Sequence, residues 1–134
     1  MSKNNLQVYI HIVFCTKNRG VLISDTIEKK LYPFIWSVIE DNDCTPLMIN
    51  GMPDHVHILL KMDSKVSLSD LMRFIKGKSS RFLNENYSFL NGFEWQRGYG
   101  AFSVSSSQVS QVADYVKNQK HHHVEGFIIE NIEL

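Results

Sequence analysis

In "PDHVHILL" (Pro53 to Leu60) two imidazoles, His55 and His57, stand two residues apart inside a run that otherwise has the composition of a buried strand. Side chains alternate across a strand, so if Val56, Ile58 and Leu60 face a core, then His55, His57 and Leu59 point to the opposite side. The two Cβ atoms would lie roughly 6.6 Å apart, two residues at about 3.3 Å each. Rings leaning together from that spacing can share one cation through nitrogens at about 2.1 Å. That is half of a metal site. Taken alone, such a pair is more often two ordinary polar residues on a half-exposed sheet face.

A second pair comes late in the chain. In "SSQVSQVADYVKNQKHHH", Val109, Val112 and Val116 recur at helical spacing as a narrow apolar stripe, with Ser105 or Ser106 available as cap. Tyr115 and Gln119 are four residues apart at its flank, hence neighbours one turn apart on one face. A phenol placed near a cation can serve as a nucleophile, because the cation lowers the cost of the phenolate. The plainer alternative is that Tyr115 packs at the edge of the stripe.

The elements that must hold these residues follow from periodicity. "QVYIHIVF" and "HVHILLKM" alternate as strands, "TPLMING" is a plausible shorter one, and "YGAFSVS" is another. Asp25 to Asn42 carries Ile27, Leu31, Phe34, Ile35, Val38 and Ile39 at helical spacing, capped by Ser24 or Asp25, with Pro33 expected to kink or divide it. "SLSDLMRFIKGKSSRFL" opens with Ser67 and Asp70 in capping-box spacing and keeps Leu68, Leu71, Met72, Ile75 and Phe82 on one side. Asn84 to Gly98 is polar and aromatic with two glycines, and reads as a long loop. The order β-α-β-β-α-β-α predicts an α+β fold: a ferredoxin-like βαββαβ antiparallel sheet, with an additional C-terminal helix carrying the tyrosine.

No repeat, linker or low-complexity tract divides the 134 residues, so the chain is read as one domain over 1–134 with a core that needs no staples. Cys15 and Cys44 are isolated, with no CxxC spacing or second pair, so neither a disulfide framework nor a thiolate zinc site is indicated, which fits a reducing cytosol. The apolar run in "MSKNNLQVYIHIVFC" is too short to span a bilayer and alternates, so no membrane role is expected. Fourteen basic residues balance fourteen acidic ones, yet from Lys61 to Arg81 six cations meet two anions. That stretch fits either a phosphate-facing surface or a solvated helix face.

"HIVFCTKNR", "MPDHVHILL", "LMRFIKGKSSRFL", "WQRGYGAFSVS" and "YVKNQKHHH", in this order and at these separations, resemble the HUH single-tyrosine transposases of the insertion sequence two-hundred type, including their REP-associated relatives. The likeness runs over nearly the whole chain. HUH denotes His, a hydrophobic residue, His, here His55, Val56 and His57.

The resemblance implies a metal-dependent enzyme that cuts and rejoins single-stranded DNA at hairpin-marked ends. His55, His57 and Gln119 fall where the family binds a divalent cation, Mg2+ or Mn2+, and Tyr115 falls at the nucleophile, which would form a 5′-phosphotyrosine and release a 3′-hydroxyl. Such positional chemistry on a phosphodiester needs no nucleotide-binding motif, and no "GxxxxGK" occurs. Family members are homodimers in which the tyrosine helix of one subunit can serve the histidines of the other in trans, so Tyr115 is expected to be useless to a monomer. The basic residues Arg73, Lys76, Lys78 and Arg81, with the loop aromatics Trp95 and Tyr99, are the expected DNA contacts, through phosphates and base stacking respectively; the alternative for Trp95 and Tyr99, equally open, is that they close a core edge. The implied location is cytoplasmic, with nucleoid association when bound to DNA. "VEGFIIENIEL" is shorter than the tail many members carry, so the resemblance supports cleavage further than strand transfer, and His121 to His123 are read as native without a catalytic role. Two other readings remain: a catalytically impaired or domesticated protein that binds hairpin DNA, and a ferredoxin-like metal sensor, which would leave Tyr115 and Gln119 unexplained.

Overall fold

A computed structural model describes residues 5–120; His121 to His123 and the terminal "VEGFIIENIEL" lie outside the described residues. The alternating runs form four strands, β1 (Tyr9–Cys15), β2 (Thr45–Met52), β3 (His55–Lys61) and β4 (Gly100–Val104), in the order β2-β3-β1-β4. Every neighbouring pair is antiparallel. Two long helices, α1 (Asp25–Asp41) and α2 (Leu68–Asn86), follow β1 and β3, and α3 (Val109–Lys117) follows β4. This is the split βαβ arrangement with the additional helix that the element order predicts.

Alternation sorts the strands into two faces. Ile12 and Phe14 of β1 and Val56, Ile58 and Leu60 of β3 join one buried cluster with the apolar stripes of α1 and α2. At about 1.5–3 kcal/mol for each fully buried aliphatic side chain, this layer is the main source of stability. Val13 and Leu59, buried but outside that cluster, belong to the other face, as do His11, His55 and His57.

The helix starts obey their capping signals. Ser24 Oγ accepts from the Ile27 amide at 3.2 Å, and Ser67 Oγ accepts from the Asp70 amide at 3.1 Å. Pro33 does not divide α1, which runs unbroken through it. Both Pro33 and Lys29, whose carbonyl lacks a partner there, face solvent, so water can serve the missing bond while Ile27, Leu31, Ile35, Val38 and Ile39 stay packed. At α3 the expected serine caps are not used. A single 3-10 turn, Ser106–Gln108, precedes the helix, and no side chain caps it.

The segment read as a loop from Asn84 is shorter and more firmly fastened. α2 continues to Asn86, and the Asn84 amide clamps Phe93 by accepting from its N–H at 2.6 Å and donating to its carbonyl at 3.0 Å. Trp95 is buried edge-on against Phe14 and Phe93, and its Nε1 donates to Ser79 Oγ at 2.9 Å.

β2 and β3 meet through a close approach at Gly51, which pairs with Val56. A Cβ built there would overlap the His55 carbonyl oxygen and come within 3.0 Å of the Val56 Cα, both backbone. Gly51→Ala is therefore expected to destabilise the fold by about 1–3 kcal/mol, the range for forced overpacking. Urea unfolding monitored by circular dichroism measures it, and an unchanged midpoint would contradict the contact.

Candidate active site

The face of the sheet away from α1 and α2 carries the site. His55 and His57 are both essentially excluded from solvent, with ring centroids 5.2 Å apart and planes inclined by 71°. Their burial departs from the half-exposed face that spacing suggested. The reason is α3, which packs across β2 and β3 and covers them with Val116, itself fully buried.

Each imidazole is held by its Nδ1. Asp54 Oδ1 accepts from His55 Nδ1 at 2.7 Å, and Asp54 Oδ2 in turn accepts from Arg19 Nε at 3.0 Å. Burial opposes ionisation of Asp54, but the His55 and Arg19 contacts together outweigh it and hold its carboxyl below the usual value. The Asp54 backbone is fixed as well, since its carbonyl accepts from the Thr16 amide at 3.0 Å just after β1. His57 Nδ1 lies 2.8 Å from His11 Nε2. Burial pushes the His11 imidazole down to about 4, so it is neutral at physiological pH.

Tyr115 stands over this group within the same chain. Its ring centroid is 6.0 Å from that of His57 and 6.1 Å from that of His11, both edge-on. Gln119, one turn on, is fully buried; its Nε2 donates to the Tyr115 carbonyl at 3.4 Å, while its Oε1 meets no hydrogen-bond donor among the described residues. His55, His57 and Tyr115 are thus brought together within one chain, with Gln119 buried one turn beyond the tyrosine. The expectation that Tyr115 is useless to a monomer is not required by this arrangement.

The helix is tied down at its end. Asn50 Nδ2 donates to the Lys117 carbonyl at 2.7 Å, and Lys120 Nζ donates to Asn50 Oδ1, the Gly51 carbonyl and Glu28 Oε2 at 3.0, 3.0 and 3.1 Å. Asn50→Ala removes two of these ties, and the expected consequence is easier opening of α3 by about 1–2 kcal/mol. Hydrogen exchange at the amides of Val109 to Lys117 reads this directly; rates equal to the wild type would contradict it.

A cation fits these residues on chemical grounds. With Nδ1 of both histidines facing Asp54 and His11, a cation would be met through Nε2 of each ring, and the Gln119 amide oxygen is a buried acceptor that meets no donor among the described residues. Among the described residues no three His, Cys, Asp or Glu side chains gather as a metal-holding group, and a cation here would be met by two imidazoles and an amide. Such a set leaves room for substrate oxygens. Cys15 and Cys44 are buried free thiols whose pKa values burial raises, and neither is disposed to act as a thiolate.

The expected DNA contacts are divided. Arg73, Lys78 and Arg81 are exposed on α2, in the layer across the sheet from the histidines. Two of them have exposed acidic neighbours on the helix, Asp70 beside Arg73 at 3.1 Å and Glu85 beside Arg81 at 3.7 Å. Lys76 is a correction: its ammonium donates to the Gln96 and Gly98 carbonyls at 2.6 and 2.8 Å, fastening the loop to α2 rather than facing a phosphate. Trp95 is another, since its ring lies in the core and has no face to offer a base. Tyr99 is half-buried against the same cluster. Three residues of the site were not singled out from spacing: His11, Asp54 and Arg19. Asp54 directly precedes His55 and His11 alternates onto the histidine face of β1, so both left a trace. Arg19 depends on a turn, Lys17–Arg19, in which Asn18 and Arg19 take left-handed φ values of 58° and 57°.

The antiparallel sheet thus buries a His-x-His pair beneath a helix bearing a tyrosine, with a buried glutamine just past that helix's end. The chain belongs to the IS200-like transposase family, whose model matches residues 4–119, the whole site included. It is therefore a transposase, of a class that cuts and rejoins DNA. It is 31% identical over 114 residues to the transposase for insertion sequence element IS200 of Salmonella typhimurium, covering 81% of this chain and 74% of that one. To the ISDra2 transposase TnpA of Deinococcus radiodurans it is 25% identical over 118 residues, 84% of each. Among solved structures, a putative transposase from Deinococcus radiodurans R1 superposes with a TM-score of 0.71 at 24% identity, over 89% of this chain and 98% of that one. A REP-associated tyrosine transposase bound to a REP hairpin superposes with a TM-score of 0.66 at 16% identity, over 96% and 76%. Both bear out the fold. No helix among the described residues is long and apolar enough to cross a membrane.

Proposed function

We propose that this transposase acts on single-stranded DNA at hairpin-marked ends, with Tyr115 as nucleophile and a divalent cation, Mg2+ or Mn2+, held by His55, His57 and Gln119. The observation that carries the reading is Tyr115 of α3 standing edge-on to the buried His57, with Gln119 buried one turn further on. The Tyr115 hydroxyl oxygen bonds to the scissile phosphorus as the bond to the 3′-oxygen breaks. The phenolic proton is lost, the 3′-oxygen leaves as a hydroxyl, and the 5′-phosphate stays on the tyrosine. A second 3′-hydroxyl reverses the exchange on a new end. Phosphoryl transfer asks for positioning and charge neutralisation, and the exchange conserves ester bonds, so no external energy source is needed. The cation, when bound, would polarise the phosphate oxygens.

What this chain supplies is order. Asp54 and His11 hold the two imidazole planes, Val13, Leu59 and Val116 exclude water beneath the helix, and Asn50 and Lys120 set the depth at which Tyr115 is presented. Arg73, Lys78 and Arg81 are exposed cations of α2 available for backbone contacts, and Tyr99, half-buried against the core, is the aromatic that remains for base stacking. The hairpin named in the REP-associated neighbour supports a hairpin substrate here. A homodimer, in which α3 serves the own or the partner site, and residence in the cytoplasm with nucleoid association during DNA binding, complete the reading.

The test is incubation with Mg2+ or Mn2+ and labelled single strands from the flanks of the chain's own coding sequence, resolved on denaturing and native gels. A metal-dependent protein–DNA adduct is expected. A hairpin complex on the native gel with no adduct under any metal would turn the reading to a DNA-binding protein without strand chemistry.

A further inference from the structure

We propose that His11 is a positioning residue for His57: its Nε2 accepts the His57 Nδ1 proton and so fixes both the ring plane and the tautomer in which His57 Nε2 carries a lone pair. The inference rests on reading His57 as a cation ligand, and goes beyond it by assigning a role to a residue on a different strand.

The geometry is that of a built contact. The two nitrogens are 2.8 Å apart, and the rings stack at 25° with centroids 5.0 Å apart. The register produces it: Val13 is paired with His57 and His11 with Leu59, so His11 lies on the diagonal from His57 on the same face. Phe102, the β4 partner of His11, flanks its ring at 6.2 Å, and Tyr115 flanks it at 6.1 Å, which limits its rotation. His55 has the corresponding arrangement with a carboxylate, since Asp54 accepts from its Nδ1. Both imidazoles of the pair are thus backed at Nδ1, one by a carboxylate and one by a second imidazole. A carboxylate can only accept, but an imidazole can do either, so the His11 contact has a direction to be decided. Only with His57 donating is its Nε2 a ligand, and His11 must then keep its own proton on Nδ1.

The deciding measurement is the imidazole nitrogen spectrum of the metal-free protein with 15N-labelled histidine, His57 being assigned by comparison with His57→Gln. A pyrrole-type Nδ1 and a pyridine-type Nε2 are expected for His57; the opposite tautomer overturns the proposal, and neither result needs a His11 variant to fold. A second measurement uses Mn2+ binding followed by electron paramagnetic resonance. His11→Phe, which keeps the ring and loses the acceptor, should weaken Mn2+ by about 10–100-fold. His11→Gln, whose amide oxygen reaches the same place, should regain most of it. A folded His11→Phe protein that binds Mn2+ as tightly as the wild type overturns the proposal. A wild type that takes up no Mn2+ overturns the cation reading instead, and the tautomer then decides the His11 contact by itself.

Discussion

Tyr115→Phe protein, given metal and its hairpin-bearing single strand, is expected to form no covalent adduct and to retain less than about one-thousandth of wild-type cleavage, because the bond-forming oxygen is gone. Stability should change little. The ring, edge-on to His57 and His11, is kept, and the apolar anchor of α3 is Val116. Native-gel affinity for the hairpin should be preserved for the same reason. The combination matters: loss of cutting with binding and fold intact separates a nucleophile from a packing residue. Cleavage surviving in Tyr115→Phe would remove the tyrosine from the chemistry.

The second large effect is expected at the histidine pair. His57→Ala should abolish metal-supported cleavage and weaken Mn2+ by more than about 100-fold, since even the outer partners of metal ligands cost 10–100-fold. It also leaves His11 Nε2 facing a void and empties part of a buried layer, so some stability is lost as well. His57→Gln restores a side chain of similar reach and separates the two effects: near-native unfolding with cleavage still absent is the expected pattern. Chelation of the wild type should reproduce the loss of cleavage, and added Mn2+ should reverse it. Isothermal titration with Mn2+ and a chelator-treated cleavage assay measure both.

Much of this site could be read in the chain because its signals are local. The His55 and His57 pair needs only strand alternation to share a face, and Tyr115 and Gln119 need only a helical turn. The helix starts at Ser24 and Ser67 were equally legible, since a cap is a contact across three residues. What escaped depends on distant partners. Lys76 lies on a basic helix, and only the packing of a loop twenty residues away shows that its ammonium is committed to carbonyls. Trp95 sits in a polar, aromatic stretch that leaves base stacking and core closure equally open until its ring is seen against Phe14, 81 residues earlier in the chain. His11 acquires a role only through the register of β1 against β3. The division of α1 at Pro33 failed for a related reason: tertiary packing of the opposite face outweighs one absent backbone bond.

The most direct test of the central claim is peptide mapping of the protein–DNA adduct by mass spectrometry after nuclease digestion. The account predicts a nucleotide attached through its 5′-phosphate to the peptide containing Tyr115, formed only with divalent metal present. Attachment at another residue, or through a 3′-phosphate, would contradict it.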